Sequence, residues 1–437
     1  MPSRTVELEG HIIDSGMMGR AFGVVMDMGG SFHVEQFDVG TRKDETSYCR
    51  MSVAADTAET LQSILHELHQ TGATVTDAAD ATLEPAPADR VVPPGFYSTT
   101  NHPTEVRYEG RWLPVEHVEM DCAVVVEPAD GSDESHGATD EPDDQSEGST
   151  DTPDADATTG ADPRVHTKPL HAVEAGDLIV TGETGVRVRP PERPRSADDP
   201  FGFMQGGVSS ERPSGSLVRR VANAITETVE NNGEVLVVPG PAVIHAGGGD
   251  ALARLVREGY VTMLSAGNGF ATHDIERSVY GTSLGMDMET MDHPRKGHKH
   301  HIYAIGEVVR AGSIADAVEQ GVVESGVMYE CVESDVPFVL AGSIRDDGPL
   351  PDTITDTIEA QDAIREQARE ADLVVTLATM LHSVAVGNCL PSTTPTVCVD
   401  IDPATVTQLL DRGSAQAVGM VTDVGMFLPR LADRVVE

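Results

Sequence analysis

Lysine is almost missing from this chain. Four occur in 437 residues, at Lys43, Lys168, Lys296 and Lys299, and acids outnumber Lys plus Arg by 72 to 30. Without a basic face to neutralise phosphates, nucleic acid has no surface to bind. Cysteine is sparse too: five residues, an odd number, with no CxxC spacing. That argues against a zinc ribbon and fits a reducing compartment, so the chain is expected to be cytoplasmic. Long apolar runs are lacking; none approaches the ~20 residues a membrane helix requires. The first residues, MPSRTVELEG, hold no apolar core, so no signal peptide is expected.

What is present in excess is negative charge, a formal −42. The stretch Glu127 to Asp162 has 13 acids and no Lys or Arg, yet removing it leaves −29 on the rest. The acidity therefore belongs to the whole surface. Molar salt shrinks the Debye length to ~3 Å and quenches such self-repulsion, so the chain reads as salt-adapted. An acidic protein built for basic partners is the alternative.

The length suggests two or three domains. Residues 4–77 read β-α-β-β-α-β, a ferredoxin-like α+β arrangement suited to small-molecule binding or subunit pairing; the first domain is placed at 1–104. Residues 83–104 are Pro-rich and read as irregular. An all-β module is expected over 105–190, with tight turns at Glu109-Gly110 and a hairpin at Glu183–Gly185. A disordered acidic insertion over 128–163 interrupts it. A linker at 191–212 precedes an α/β domain over 213–437.

In that last domain six short apolar strands run into small or acidic turns: 234–240, 261–269, 336–348, 371–382, 394–403 and 415–425. Unbroken Val, Ile and Leu runs mark strands buried on both faces, and intervening helical stretches make the sheet parallel. Ligands of such sheets bind at the carboxyl ends of strands. Asn268, Asp347, His382, Asp400 and Asp423 fall there.

Each motif has a chemical and a structural reading. Asp400 ends the run TVCV, where an acid can bind ribose hydroxyls and repel a 2′-phosphate, favouring NAD over NADP; it could equally turn the chain. GPAVIHAGGGD (240–250) and AGNGF (266–270) are glycine loops between strand and helix, able to approach phosphates, though neither has full G-x-G-x-x-G spacing. In GSIRDDGPLPD, Asp346, Asp347 and Asp352 could hold ribose, amide or ammonium groups. His382, in ATMLHSVAVGN, could move protons near neutral pH or cap a helix. HPRKGHKHH (293–301) lacks the spacing of a zinc site, and no metal is expected; its lysines suit a phosphate or carboxylate.

The stretches GHIIDSG, DMGG, LEPAPADRV, GFYSTTNHPT, PGPAVIHAGG, GSIRDDGPLPD, ATMLHSVAVGN and CVDIDPATVTQLLDRGSAQA resemble the archaeal ornithine cyclodeaminase family. That family is similar to the cyclodeaminase half of cyanobacterial arginine dihydrolase fusions. Its N-terminal region is shared with lysine-ketoglutarate reductase/saccharopine dehydrogenase proteins. The resemblance spans nearly the whole chain except 128–163. It implies a Rossmann-type, deoxyhypusine-synthase-like NAD domain, and GHKHH resembles the lysine-histidine stretch of deoxyhypusine synthases. NAD contacts are then expected at Asn268, Gly269, Asp347, Thr379, Met380, Leu381, His382, Asp400, Asp423 and Val424.

The implied reaction takes L-ornithine to L-proline and ammonia with no net redox, a hydride being lent to bound NAD and reclaimed. Asp347 is the candidate for stabilising a cationic imine and His382 for proton transfer. Lys299, Arg345 or Arg107 would hold the substrate carboxylate. The loop STTNHPT (98–104) could reach the site or act as a linker. A homo-oligomer is expected. Other NAD-linked amine chemistry, saccharopine- or deoxyhypusine-like, and a non-catalytic NAD sensor are the alternatives.

Overall fold

The computed structural model describes residues 2–13, 16–42, 45–75, 79–129, 162–189, 214–288, 290, 297–344, 346, 348–412 and 417–436. The acidic insertion expected over 128–163 and the linker over 191–212 fall almost wholly outside these residues, as do Arg345 and Asp347.

Strand Ser47–Ala54 buries every second residue, Ser47, Cys49, Met51 and Val53. That period of two gives a sheet with one covered face. Strands Ser31–Asp38, Ser47–Ala54, Ser3–Gly10 and Thr74–Val75 lie side by side in that order, all antiparallel. Helices Met17–Asp27 and Ala58–Gln70 supply Ala21, Val25, Ile64 and Leu68 to a core with Val6, Leu8, Met51 and Val53. Thr57 caps the second helix by accepting from Thr60 N–H at 3.0 Å. This is the ferredoxin-like arrangement.

Two sheets form the all-β part. One orders Thr82–Pro85, Leu178–Thr181, Ala123–Glu127 and Arg164–Lys168; the other orders Val186–Val188, Thr104–Tyr108 and Arg111–Pro114. Glu109 (φ 50°) and Gly110 (φ 76°) make the expected tight hairpin between the last two strands. Two expectations are corrected. Residues 82–85 are a strand despite the prolines, because an edge strand tolerates Pro. Leu178–Thr181 and Val186–Val188 form no hairpin; the chain changes sheets between them. Gly185 (φ 72°) permits the change, since a Cβ there would lie 2.3 Å from Ala81 N.

The third sheet has seven parallel strands, ordered Thr353–Ile354, Phe338–Ala341, Met263–Gly267, Glu234–Pro239, Ala371–Leu377, Thr396–Asp400, Ala417–Val421. Six were expected; the two-residue edge strand adds the seventh. Val235, Val237, Leu264, Ala266, Val375 and Val399 pack with helices Ser214–Glu230, Gly249–Arg257, Asn268–Tyr280 and Val424–Val435. Leu236, Val238, Met263 and Val374 pack on the opposite face with Ile364 and Ala368 of helix Thr357–Glu370 and Val386 of helix Leu381–Cys389.

The β module is fastened to this domain by polar contacts. Arg365 Nε donates to the buried Glu119 at 2.7 Å, and His171 Nε2 meets Asp362 at 2.9 Å. Asn101 C=O accepts from Ser392 N–H at 2.6 Å, and His102 Nδ1 lies 2.8 Å from Ser392 Oγ. Ser392 precedes strand Thr396–Asp400, at the amino end of the sheet. The STTNHPT loop is thus a structural clasp at the end remote from the strand tips where ligands of such sheets bind. No described helix is long and apolar enough to cross a membrane.

Candidate functional site

Numbered along the chain, the seven strands run 4-3-2-1-5-6-7 across the sheet, so the order reverses between Glu234–Pro239 and Ala371–Leu377. The loops leaving these two strands turn to opposite faces and open a crevice, the usual place for a dinucleotide. Here they touch. A Cβ on Gly240 would lie 2.2 Å from Ala378 O and 2.9 Å from Thr379 Cβ. Ala378 holds φ at 50°, pinned by donating its N–H to Val399 O at 2.8 Å. Glycine at 240 is the residue this contact allows.

Asn268 and Gly269 open helix Asn268–Tyr280 beside the crevice, and Gly267 caps it without any side-chain acceptor. That leaves helix N–H groups and the positive dipole end at the strand tip. Gly269 faces the loop of Pro241, whose Cγ would be 3.6 Å from a Cβ there. The Asn268 side chain has a separate task. Its Oδ1 accepts from Leu350 N–H and Thr353 Oγ1, both at 2.9 Å, and its Nδ2 donates to Gly348 O at 3.1 Å. It shapes the GSIRDDGPLPD loop, and a ligand would meet its backbone.

Across the crevice Thr379, Met380 and Leu381 follow strand Ala371–Leu377, with Leu381 82% exposed. His382 reaches back over the sheet, its Nε2 3.0 Å from the buried Ser265 Oγ. Burial lowers its pKa from 6.5 to about 4. Near neutral pH the ring is therefore held uncharged.

The next strand tips carry acids. Asp400 accepts from Asp402 N–H at 2.8 Å through one oxygen. Asp423 caps helix Val424–Val435, accepting from Met426 N–H at 3.1 Å, while Val424 is buried in the core. In the loop, Asp346 accepts from Ser343 N–H at 2.7 Å and Asp352 anchors Ile314 N–H at 2.8 Å, so both are tied up locally. Arg107 lies in the all-β module and pairs with Asp80 at 3.7 Å. The strand carries it on the face opposite Val106, which packs in the core of that module. Lys299 is exposed, on the turn before helix His300–Ala311.

A cluster absent from the sequence reading lies next to Lys299. The buried Glu276, on helix Asn268–Tyr280, accepts from His273 Nδ1 at 2.8 Å, Thr282 Oγ1 at 2.9 Å, and the N–H groups of Leu284 and Gly285 at 3.2 and 2.9 Å. Leu284 (φ 50°) and Gly285 (φ 72°) form the turn between strands Thr282–Ser283 and Met286–Asp287, and this turn aims both N–H groups inward. Burial alone would raise the carboxyl pKa, but the His273, Gly285 and Thr282 hydrogen bonds together hold it below the ordinary value. His245 Nδ1 lies 2.6 Å from Ser283 Oγ, and its ring meets His273 edge-on at 4.8 Å. Burial, then the neighbouring His273, lowers His245 to about 4. His300 Nδ1 is 2.9 Å from Thr282 Oγ1, and the His301 ring is 6.1 Å from His273. The i, i+3 spacing of His273 and Glu276 is the one local sign of this cluster. Among the described residues no group of His, Cys, Asp and Glu is placed to hold a metal.

Comparison with known proteins bears on the same regions. Residues 219–431 match the Rossmann-fold C-terminal region of arginine dihydrolase ArgZ-like proteins. Residues 3–102 match the conserved region of LOR/SDH bifunctional enzymes, and 103–140 with 156–218 match the first ArgZ-like C-terminal region. The chain is similar to the ornithine cyclodeaminase of Methanothermobacter thermautotrophicus, 49% identical over 99% of this chain and 97% of that one. It resembles the apo structure of the arginine dihydrolase ArgZ of the cyanobacterial ornithine-ammonia cycle, with TM-score 0.81 and 36% identity. All of this chain is covered there, but only 58% of ArgZ. It is also similar to AgrE solved as a ternary complex with ornithine and NAD⁺, with TM-score 0.50 and 41% identity over 100% of this chain and 57% of that one.

Proposed function

The chain belongs to the ornithine cyclodeaminase family and is an NAD-dependent enzyme converting L-ornithine to L-proline and ammonia; we propose that it does so at the carboxyl edge of its seven-stranded sheet. The observation that carries this placement is the contact of Gly240 with Ala378 and Thr379 at the strand-order reversal. It leaves a crevice floored by backbone, where a dinucleotide can come close. Asn268 and Gly269 offer helix N–H groups on one side. Thr379, Met380 and Leu381 offer backbone and an apolar rim on the other. Asp400 has a second carboxylate oxygen for ribose hydroxyls, and the strand tip at Asp423-Val424 closes the far end.

NAD⁺, when bound, supplies a place to lend one hydride and take it back, so the overall reaction has no net redox. The chain's own residues bind, orient and handle protons. Lys299 is the described candidate for the substrate carboxylate, with Arg345 kept as its alternative. Asp347, outside the described residues, is proposed to stabilise the developing cation. His382, neutral and bonded to Ser265, orients rather than titrates.

The acidic surface supports a salt-adapted enzyme, and the thiol usage a cytoplasmic one serving proline formation. Leu284, Ile302, Tyr303 and Val309 are exposed around helix His300–Ala311, which supports burial against a second copy. Light scattering in molar salt would measure that assembly directly.

The function is tested by incubating protein purified in high salt with L-ornithine and NAD⁺. Proline and ammonia should appear in equal amounts, while total reduced cofactor stays below one equivalent per site. Turnover of NAD⁺ without proline would overturn the assignment.

A further inference from the structure

Ornithine carries two ammonium groups, and its products are zwitterionic proline and one ammonium ion. No proton is gained or lost overall. Yet an amine must lose a proton before it can attack a carbon, and the departing nitrogen must gain one. The site therefore needs a group that borrows one proton and returns it.

The Glu276 cluster has the construction for this. Glu276 is buried and ionised, and its donors come from helix Asn268–Tyr280, the Leu284-Gly285 turn and Thr282. A carboxylate only accepts, so His273 carries its hydrogen on Nδ1 and leaves Nε2 as the basic atom. The Thr282 hydroxyl spends its one proton on Glu276, so at its contact with His300 it can only accept. His300 therefore also carries hydrogen on Nδ1 and has a basic Nε2. One anion thus sets the tautomer of two rings, one directly and one through a hydroxyl. His273 sits five residues into a helix that starts at the crevice, ~8 Å along its axis at 1.5 Å per residue. Lys299 is next to His300 in the chain.

We propose that Glu276 is a positioning residue of the cyclodeamination, fixing His273 and His300 so that the Nε2 of His273 takes a proton from a substrate ammonium. The resulting imidazolium is paired with Glu276, and its proton passes to the amine nitrogen that leaves as ammonium. This rests on the carboxyl-edge placement proposed above. Among the described residues, the charged and titratable groups facing His273 are Glu276 on its own helix, His245 from the short helix Ala242–His245, and His301 from helix His300–Ala311. His245, already pushed down to about 4, stays neutral beside it and does not compete for the proton.

Two measurements test the proposal. In nitrogen-15 histidine spectra of the wild-type protein, the His273 and His300 rings should show a protonated Nδ1 and a bare Nε2 at pH 8. Thr282→Val should release His300 alone, and Glu276→Gln should release both. In kinetics, Glu276→Gln should lower kcat/KM by about 100-fold, the low end for acid–base catalysis, and move the acidic limb of the pH profile. NAD⁺ affinity should be unchanged. A wild-type His273 with a bare Nδ1 would overturn the proposal without any variant. So would an E276Q enzyme with an unaltered pH profile. Wild-type protein that makes no proline would instead overturn the functional assignment, leaving the ring tautomers as measured.

Discussion

His382 Nε2 lies 3.0 Å from Ser265 Oγ, joining a helix on one face of the sheet to a strand two places away. The contact lets the ring be buried uncharged. Its native pKa, about 4, is below the 6.5 of an unstructured histidine. Between those values the unfolded chain binds more protons than the native one, so stability falls as pH drops through this window. His245 contributes with the same sign. His382→Gln keeps a polar partner for Ser265 but cannot titrate. Its melting temperature should fall less steeply than wild type from pH 6.5 to pH 4, a difference on the order of 2–3 kcal/mol. Parallel stability curves for the two proteins would rule this out.

Gly240 and Gly387 should answer oppositely to alanine. At 240 the added carbon would meet Ala378 O at 2.2 Å, and both strand tips are locked by backbone hydrogen bonds. G240A should cost about 1–3 kcal/mol and weaken NAD⁺ binding measured by fluorescence quenching. Gly387 lies in helix Leu381–Cys389 with no atom within 4 Å of the added carbon. G387A should stabilise by about 0.5–1 kcal/mol and leave affinity unchanged. Equal affinities for the two variants would place the cofactor away from the crevice.

Asp400 gives one carboxylate oxygen to Asp402 N–H and has a second for a ribose. A 2′-phosphate would meet that anion. Asp400→Ser should weaken NAD⁺ and strengthen NADP⁺, moving the ratio of dissociation constants by about tenfold or more, ~1.4 kcal/mol. An unchanged ratio would leave Asp400 as a turn residue alone.

Much of this architecture was readable because the signals were local. Val235 to Val238 and Thr396 to Val399 are unbroken apolar runs, and Asp402-Pro403 marks a helix start that the structure has, with Asp402 accepting from Ala404 N–H at 2.9 Å. The ferredoxin-like order followed from alternation in Ser47–Ala54 and the stripe Leu61, Leu65, Leu68. Strand Thr82–Pro85 was hidden because prolines mask a strand whose place is at a sheet edge. Thr353–Ile354 is too short for any period. The Glu276 cluster joins residues 245, 273, 276, 282 and 300 through tertiary contacts, so no window of sequence contains it. The contact of His382 with Ser265 joins residues over a hundred positions apart, so the burial that lowers its pKa is not written in the local sequence.

Asp274 should behave as the opposite of His382. It is 1% exposed, accepts from Met328 N–H at 2.8 Å through one oxygen, and among the described residues has no hydrogen-bond partner for the other. Gly326 (φ 106°) brings backbone so close that a Cβ there would lie 2.7 Å from the carboxylate. Burial raises its pKa from 3.8 to about 6, against the pull of the Met328 and Val327 N–H groups. Between those values the native state binds the extra proton, so this group's contribution to stability rises as pH falls. Asp274→Asn removes the charge but keeps an acceptor for Met328. Its amide leaves a donor unpaired, as the protonated acid does, so that cost cancels at low pH. The variant should match wild type near pH 4 and exceed it near pH 7 by up to about 3 kcal/mol, read by denaturant titration at fixed salt. A stability difference that does not vary with pH would show that the carboxyl is not buried in its charged form.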